Sequence, residues 1–322
     1  MSLPNFMVLG ASKSATTTLY NILKNHDEIY APSFKEPHFF NITKNFKKGL
    51  VWYENTYYNT TGNYKAVIDF TPTYFYTPNC AQRIYENLGP DMRFIIILRN
   101  PVDRAYSHYL HSKRDGYENK SFMDALTSEK SRLDSSRQQD DILSELRFSY
   151  LAQGDYHRML SDYLKYYSLD NFLIINFESE ITNGLELTSK RISEFLNIDL
   201  SHLDLDLHSN KSGKSRFAFL QKLMKKNSLW RRALKFFFSS ITRQKIRNKI
   251  KNFNKINHDF KPLNQQLKIE LYNKYLTIYY KIKDKDNCLL ISYEEIINLD
   301  FHKLFKFLKI EYSHDNISKI IK

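Results

Sequence analysis

A lysine and a run of hydroxyl side chains follow the first apolar strand of the chain, where residues 6–9 read FMVL. The next segment, residues 10–18, reads GASKSATTT and leads into an apolar helix pattern that begins at Leu19. A helix start presents unpaired backbone N–H groups and the positive end of the helix dipole. Small residues let an anion approach these groups, and lysine and hydroxyl side chains add further donors. The segment therefore predicts a phosphate-binding loop with the candidate ligands Lys13, Ser14, Ala15, Thr16, Thr17 and Thr18.

The spacing of this loop differs from that of the triphosphate-binding P-loop, G-x-x-x-x-G-K-[ST]. Lys13 follows Gly10 by only three residues, and the second glycine before the lysine is missing. The shorter loop favours a single 5′-phosphate group with a further group attached to it. The alternative is a plain strand–turn–helix with a solvated lysine.

A lysine, a carboxylate and an imidazole stand close together in residues 32–40, which read PSFKEPHFF. Two prolines, Pro32 and Pro37, keep this segment out of a helix. An extended loop of this kind can direct Glu36 and His38 to one point, where either can act as a general base toward a hydroxyl or an amine. The alternative is a surface turn with solvated charges.

An arginine leaves the end of another apolar run, RFIIIL at residues 93–98, which is typical of a central parallel strand. Ligands of α/β sheets bind at this end of the strands. Pro101 suits a helix start, and Ser107 lies two turns along that helix, where it can face the same way as Arg99. A guanidinium and a hydroxyl together make a phosphate clamp. The alternative is a structural arginine that caps a loop.

Together these motifs resemble those of sulfotransferases that use the donor 3′-phosphoadenosine 5′-phosphosulfate (PAPS). Residues 10–19 are similar to the family's G-x-x-K-[SG]-[GA]-T-[ST]-x-L, and residues 98–109 are similar to L-R-[ND]-P-x-[ED]-R-[AV]-x-S-x-[YW]. Residues 35–40, KEPHFF, resemble the [KN]-E-x-x-[FY]-F segment of glycan sulfotransferases, including the heparan sulfate type. The resemblance covers about residues 5–285 and is most specific at the two phosphate motifs.

The resemblance implies a role for each candidate residue. Lys13 would be catalytic and its loop would hold the 5′-phosphosulfate, while Glu36 would be the catalytic base and His38 a competing base or a group that orients the acceptor. The residues implied to hold the 3′-phosphate are Arg99 and Ser107, and those implied to close over the donor are Lys214 and Arg216. Further substrate contacts fall in the motifs G-x-x-W-Y and [ST]-P-x-Y, at Trp52 and Tyr74. The transfer needs no metal.

One position departs from the heparan-type pattern. Phe70 stands where those enzymes have a lysine that assists catalysis. The departure fits a bacterial or otherwise divergent relative better than a heparan enzyme. It leaves open which acceptor the chain sulfates.

The overall charge favours anionic partners, because the 322 residues carry a formal net charge of +13. Residues 222–258 hold twelve Lys or Arg and no acidic residue, among apolar side chains. This basic amphipathic pattern can lie on an anionic membrane surface. The alternative, which we favour, is a helix packed on the domain with a solvated basic face. Nucleic acid is not expected as a partner, because no nucleic-acid motif accompanies the charge.

Cysteine content and hydropathy lead us to expect a cytoplasmic protein, which can also lie at the membrane surface. A truncated luminal domain is a less favoured alternative. The two cysteines, Cys80 and Cys288, predict neither a disulfide framework nor a metal site. No basic leader with an apolar run opens the chain, and no 18-residue apolar run occurs in it.

The sequence thus predicts an α/β fold with a central parallel sheet, flanked by helices, of the P-loop-like sulfotransferase type. Strands are expected at 5–9, 66–70, 93–98 and 172–177, within a single domain 1–285. A helical C-terminal extension is expected, and its tail, 286–322, weakly echoes residues 170–198. The expected reaction moves a sulfuryl group from PAPS to a hydroxyl of a carbohydrate, a lipid-linked glycan or another acceptor and releases PAP. The alternatives are a nucleotide-dependent phosphotransferase that uses Mg²⁺ and a non-catalytic anion- or membrane-binding module.

Overall fold

The computed structural model describes residues 3–182, 185–203, 213–215, 255–257 and 263–271. Within these residues the main strands are β1 (Phe6–Gly10), β2 (Ile29–Tyr30), β3 (Ala66–Asp69), β4 (Arg93–Leu98) and β5 (Phe172–Asn176). They form one parallel sheet in the order β2-β3-β1-β4-β5. The predicted α/β fold is confirmed, and the strands expected at 5–9, 66–70, 93–98 and 172–177 are all present. A separate antiparallel pair consists of β6 (Gly213–Ser215) and β7 (Lys255–Asn257).

Helices connect the strands and cover both faces of the sheet. Those that precede β4 are α1 (Thr16–Leu23), α2 (Thr43–Phe46), α3 (Gly49–Tyr53) and α4 (Cys80–Leu88). Those between β4 and β5 are α5 (Pro101–Arg114), α6 (Phe122–Thr127), α7 (Glu129–Gln138), α8 (Ile142–Phe148) and α9 (Tyr156–Leu164). After β5 come α10 (Leu185–Leu196) and a short helix at residues 265–271. Single wide or tight helical turns lie at Glu54–Tyr58, Ala152–Gly154, Leu169–Asn171 and Phe177–Ile181.

Alternate residues of the strands supply two cores, because successive side chains of a strand point to opposite faces. Met7 and Ile96 belong to the core that α4 and α9 cover. Val8 and Ile97 belong to the core that α1 and α10 cover. Burial on both faces explains why the strands read as continuous apolar runs in the sequence.

The carboxyl end of β1 is the switch point of the sheet. β1 lies between β3 and β4, so the connections that follow these strands leave the sheet next to one another. Open α/β sheets bind ligands in the crevice at such a point. The ends of β1, β3 and β4 therefore define where the functional residues should meet.

Several C-terminal predictions fall outside the described residues. These are the helical extension, the tail 286–322 with its echo of 170–198, the domain boundary at 285 and nearly all of the basic segment 222–258. The described helix at residues 265–271 lies against α5, where Lys268 Nζ is 2.6 Å from Asp103 Oδ2. Leu271 is buried with the apolar side chains of α5 and α6.

Candidate active site

The loop between β1 and α1 is held at the switch point by backbone contacts. The Ala11 N–H donates to the Ile97 carbonyl of β4 at 2.8 Å. A Cβ on Gly10 would lie 3.0 Å from the Pro72 carbonyl oxygen, so a glycine is needed for this close approach. Ala15 takes a left-handed conformation, φ 61°, directly before α1, and its side chain cannot cap the helix. The first N–H groups of α1 therefore remain open to an anion.

Arg99 joins the two predicted phosphate motifs. Its Nη1 donates to the Lys13 carbonyl at 2.9 Å, and its guanidinium lies 4.6 Å from the ring centroid of Phe177. The Arg99 carbonyl accepts from the hydroxyl of Tyr156 at 2.7 Å. These contacts place the end of β4 directly beside the loop after β1.

Some of the buried polar atoms at this junction have no hydrogen-bond partner among the described residues. They include Ser14 Oγ and Arg99 Nε. An unsatisfied buried donor is costly, and native proteins rarely leave one unexplained. A hydroxyl and a guanidinium N–H beside an open helix start are the donors that a phosphate group requires. The residues present therefore fit a phosphorylated donor.

The other predicted donor ligands differ in exposure. Thr16 is buried, Thr18 is half-buried and Thr17 is exposed, because they follow one another around the first turn of α1. Ser107 is half-buried on α5, two turns beyond Arg99. Lys214 belongs to β6, whose side chains lie outside the described residues, as Arg216 does.

The predicted catalytic base lies in a compact group of charges. Glu36 Oε1 is 2.9 Å from Lys35 Nζ, and Glu36 Oε2 is 3.6 Å from His38 Nε2. Although burial disfavours the charged carboxylate, the charges of Lys35 and His38 and their hydrogen bonds hold the pKa of Glu36 well below its usual range. Glu36 is therefore ionised at neutral pH and can accept a proton.

His38 is fixed by contacts with the turn that follows β3. Its Nδ1 lies 3.3 Å from Thr73 Oγ1 and 3.2 Å from Asn41 Nδ2. The His38 carbonyl accepts from Asn45 Nδ2 at 3.1 Å. Since the same turn packs on Gly10, these contacts bring Glu36 and His38 to the edge of the sheet that carries the anion loop.

A buried carboxylate at the end of β3, which was not among the predicted site residues, supports this turn. Asp69 accepts from the hydroxyls of Tyr53 at 2.5 Å, Thr71 at 2.6 Å and Tyr74 at 3.2 Å. Burial raises the pKa of Asp69, and these O–H donors oppose that shift. The sequence signal was an acidic residue inside an otherwise apolar strand, VIDF at 67–70.

The two aromatic residues predicted to contact substrate differ in burial and in their contacts. Tyr74 is completely buried, and its hydroxyl accepts from the Phe39 N–H at 2.8 Å while it donates to Asp69. This placement suits a supporting role better than a direct substrate contact. Trp52 is half-buried, with Lys48 Nζ 3.8 Å from its ring centroid. Phe70 is buried against the edge of Tyr20, so its position offers no cation to the site.

Comparison with known proteins settles the family. A family model described as "Sulfotransferase domain" matches residues 3–255. The chain belongs to the sulfotransferase family. The family resemblance, the fold and the class of transferase predicted from the sequence are thereby confirmed.

Three members of this family show how similar the chain is to known proteins. Heparan sulfate glucosamine 3-O-sulfotransferase 6 of Mus musculus is 27% identical over 224 residues, 68% of this chain and 59% of that protein. The membrane-associated sulfotransferase kil1 of Dictyostelium discoideum is 37% identical over 111 residues, 34% of this chain and 23% of that protein. The crystal structure of a sulfotransferase from Alicyclobacillus acidocaldarius matches with a TM-score of 0.56 and 29% identity, over 65% of this chain and 87% of that one. The chain thus spans less than two thirds of these curated relatives.

The predicted cytoplasmic location is wrong. The relatives include heparan sulfate enzymes and a protein named as membrane-associated, and they contradict a cytoplasmic location. The prediction relied on cysteine content, but a domain with a full apolar core needs no disulfides in any compartment. In the part of the chain that the structure describes, no helix is long and apolar enough to cross a membrane.

Proposed function

We propose that this chain transfers a sulfuryl group from PAPS to a hydroxyl group of a carbohydrate acceptor and releases PAP. The observation that carries the proposal is the bond from Arg99 Nη1 to the Lys13 carbonyl, because it unites two phosphate-binding motifs at the switch point of the sheet. The ionised Glu36 reaches the same edge through the contacts of His38 with Thr73.

The donor side would use groups that the fold already orders. The open N–H groups at the start of α1, Ser14 Oγ and the hydroxyls of Thr16 to Thr18 would hold the 5′-phosphate. Arg99 and Ser107 would hold the 3′-phosphate, with Lys214 and Arg216 as further candidates. The donor would supply the sulfuryl group, which is attached to its 5′-phosphate, and that phosphate would leave as part of PAP. Lys13 would stabilise the negative charge that builds up on the leaving oxygen.

The acceptor side would use the group of charges around Glu36. The carboxylate is ionised and can take the proton of the acceptor hydroxyl as the new bond to sulfur forms. Thr73 and Asn41 fix the imidazole of His38, which suits it to orient the acceptor or to share the role of base. Trp52, the further candidate for a substrate contact, stacks on Phe39 at the edge of the core, with ring centroids 6.3 Å apart.

The acceptor is proposed to be a saccharide on the strength of the relatives. All three proteins compared above are named as sulfotransferases, and one of them, the mouse enzyme, is named for a saccharide, heparan sulfate glucosamine. The net charge of +13 favours an acceptor that carries negative charge, and a lipid-linked glycan is one such molecule. The buried Phe70, in place of a lysine, distinguishes this site from the heparan-type pattern. Contact of the basic segment 222–258 with an anionic membrane remains a prediction.

The experiment that tests the proposal measures PAP release from PAPS with a panel of acceptors. The panel contains neutral oligosaccharides, uronic-acid oligosaccharides and buffer alone, each with and without EDTA. We expect acceptor-dependent PAP release that EDTA does not reduce, and a loss of about 10²–10³-fold in Lys13→Ala. Lys24→Ala, at the other end of α1, is the matched control. Turnover of ATP with Mg²⁺ instead of PAPS would support the phosphotransferase alternative.

A further inference from the structure

Arg104 is a fully buried arginine within the second phosphate motif, and it has no role in the proposed function. It lies one turn into α5 and is 0% exposed. A guanidinium cannot lose its charge inside a protein, so such a residue is retained only where its donors and its charge are compensated. The identity of those compensating groups indicates what the residue does.

The guanidinium of Arg104 bridges two segments through their carbonyl oxygens. Its Nη1 lies 3.5 Å from the Ser12 carbonyl oxygen, a long hydrogen bond, and its Nη2 donates to the Tyr150 carbonyl. Ser12 belongs to the anion loop, and Tyr150 begins the turn that precedes α9. Arg104 therefore connects the anion loop with residues 150–152, which lie 46 to 48 positions farther along the chain than Arg104 itself.

The turn at residues 150–152 also binds an acidic side chain that lies near Arg104. Glu129, 5% exposed, accepts from the Leu151 N–H at 2.8 Å and from the Ala152 N–H at 2.8 Å. Burial raises the pKa of Glu129 to about 7, while the Ala152 and Leu151 N–H groups and the charge of Arg104 act in the opposite direction. The neighbouring His108, one turn farther along α5, is neutral because burial and the charges of Arg104 and Lys13 lower its pKa. Arg104 is thus a buried cation directly behind the anion loop, and its Nη atoms contact two backbone carbonyl oxygens.

We propose that Arg104 is a positioning residue for the sulfuryl donor: it holds the Ser12–Lys13 peptide in the orientation that binds phosphate and ties it to the 150–152 turn. In a trans peptide the C=O and N–H groups point in opposite directions. A bond from Arg104 to the Ser12 carbonyl therefore directs the Lys13 N–H to the opposite side of the loop. Arg99 fixes the next carbonyl, that of Lys13, so two arginines of the β4–α5 motif set two successive peptides.

This role rests on the proposed function and makes a separate prediction. Lysine at position 104 keeps the positive charge, but a single ammonium cannot reproduce the planar fork that spans two carbonyls. We expect Arg104→Lys to raise the Kd for PAP by about tenfold or more, as for a lost charged hydrogen bond. A matched control is Arg83→Lys, because Arg83 also donates to a carbonyl, that of Phe40 at 2.8 Å, but on the acceptor side.

The test combines calorimetric titration with PAP, thermal melting and amide hydrogen exchange. We expect Arg104→Lys to weaken PAP binding while its melting temperature falls no further than that of Arg83→Lys, which should bind PAP as the wild type does. In the wild type, PAP should slow exchange in residues 150–152 as well as in residues 11–15. This second readout needs no variant, so it decides the matter even if Arg104→Lys does not fold.

Two results would overturn the inference. One is a wild-type PAP affinity in folded Arg104→Lys, and the other is protection by PAP that stops at the loop and leaves residues 150–152 unchanged. Failure of the wild type to bind PAP at all is a different outcome, since it rejects the proposed function and this role with it.

Discussion

The side chain of Glu36 has a lowered pKa, so it is ionised at neutral pH and is only a weak base. The charges of Lys35 and His38 lower its pKa although burial acts in the opposite direction. A carboxylate of this kind does not deprotonate a free hydroxyl, but it can accept the proton that the hydroxyl loses as it bonds to sulfur. Its contribution therefore depends on geometry, which Lys35 and His38 fix at 2.9 Å and 3.6 Å.

We expect Glu36→Gln to lower turnover by about 10²–10⁴-fold, the usual contribution of a general base. PAP affinity should stay the same, because Glu36 lies on the acceptor side. Steady-state rates with saturating acceptor, together with PAP titration, measure both quantities. Glu86→Gln, on the exposed face of α4, is the control. A Glu36→Gln variant with wild-type turnover would remove Glu36 from the chemistry.

The lowered pKa of Glu36 also predicts the pH dependence of kcat/KM. The base is active when ionised, and activity is lost as the pH falls through its pKa, which lies below the usual carboxyl value of about 4.3. We therefore expect no loss between pH 7 and about pH 5. An acid limb at about pH 6–7, where imidazoles titrate, that disappears in His38→Asn would assign the role of base to His38 instead.

Tyr74 is expected to act through stability and position, not through substrate contact. Tyr74→Phe removes a hydroxyl that accepts from the Phe39 N–H and donates to Asp69, and it should cost about 1–3 kcal/mol of unfolding free energy. Urea unfolding measures this cost. Tyr85→Phe, at an exposed ring, should change little. Unchanged stability together with a raised KM for the acceptor would restore the predicted substrate contact.

Helix α5 is the element that carries the 3′-phosphate candidates, and its start is unusually well fixed. Asn100 accepts from the N–H groups of Val102 at 3.0 Å and Asp103 at 3.2 Å, and its own N–H donates to Glu178 at 2.8 Å. Pro101 at the first helical position sets the entry angle. This cap holds Arg99 and Ser107 in a constant relation to β4.

Loss of this cap should affect stability and donor binding together. We expect Asn100→Ala to cost about 1 kcal/mol of unfolding free energy, as for other N-caps, and to weaken PAP binding. Asn55→Ala, at an exposed position, should change neither quantity. A thermal melt and a PAP titration suffice. If PAP affinity stays constant while stability falls, Asn100 stabilises the fold but does not contribute to donor binding.

The parts of the site that could be predicted from the sequence are those that contiguous residues encode. The loop around Lys13, the segment with Glu36 and the arginine at the end of β4 each lie within one short motif. Asp69 and Arg104 could not be predicted in their roles, because each has a partner that is distant in the sequence and meets it only in the folded protein: Tyr53 lies 16 positions from Asp69, and Tyr150 lies 46 positions from Arg104. The burial of Tyr74 was unpredicted for the same reason.

The stability of the protein should depend on pH through Glu129. Burial raises the pKa of Glu129 from 4.5 to about 7, although the N–H groups of Ala152 and Leu151 oppose the shift. Between these values only the folded state binds the proton, so the stability contributed by the neutral carboxyl is lost as the pH rises from about 4.5 to 7. One pKa unit corresponds to about 1.4 kcal/mol, so the full loss is about 3 kcal/mol.

We expect Glu129→Gln to remove this dependence. Its unfolding free energy should fall less than that of the wild type between pH 5 and pH 8, as measured by urea unfolding at both values. Glu186→Gln, at an exposed position of α10, should follow the wild type. Identical pH dependence in wild type and Glu129→Gln would show that Glu129 is ionised in the folded state across this range.

The central claim is that the crevice at the carboxyl end of β1 binds the product PAP without a metal. Calorimetric titration of the wild type and Arg99→Ala with PAP, and separately with ATP–Mg²⁺, tests it most directly. We predict that PAP binds in the presence of EDTA and that Arg99→Ala loses about 1.5–3 kcal/mol of that binding, the value of a hydrogen bond to a charged group. Failure to bind PAP, or tighter binding of ATP–Mg²⁺, would contradict the account.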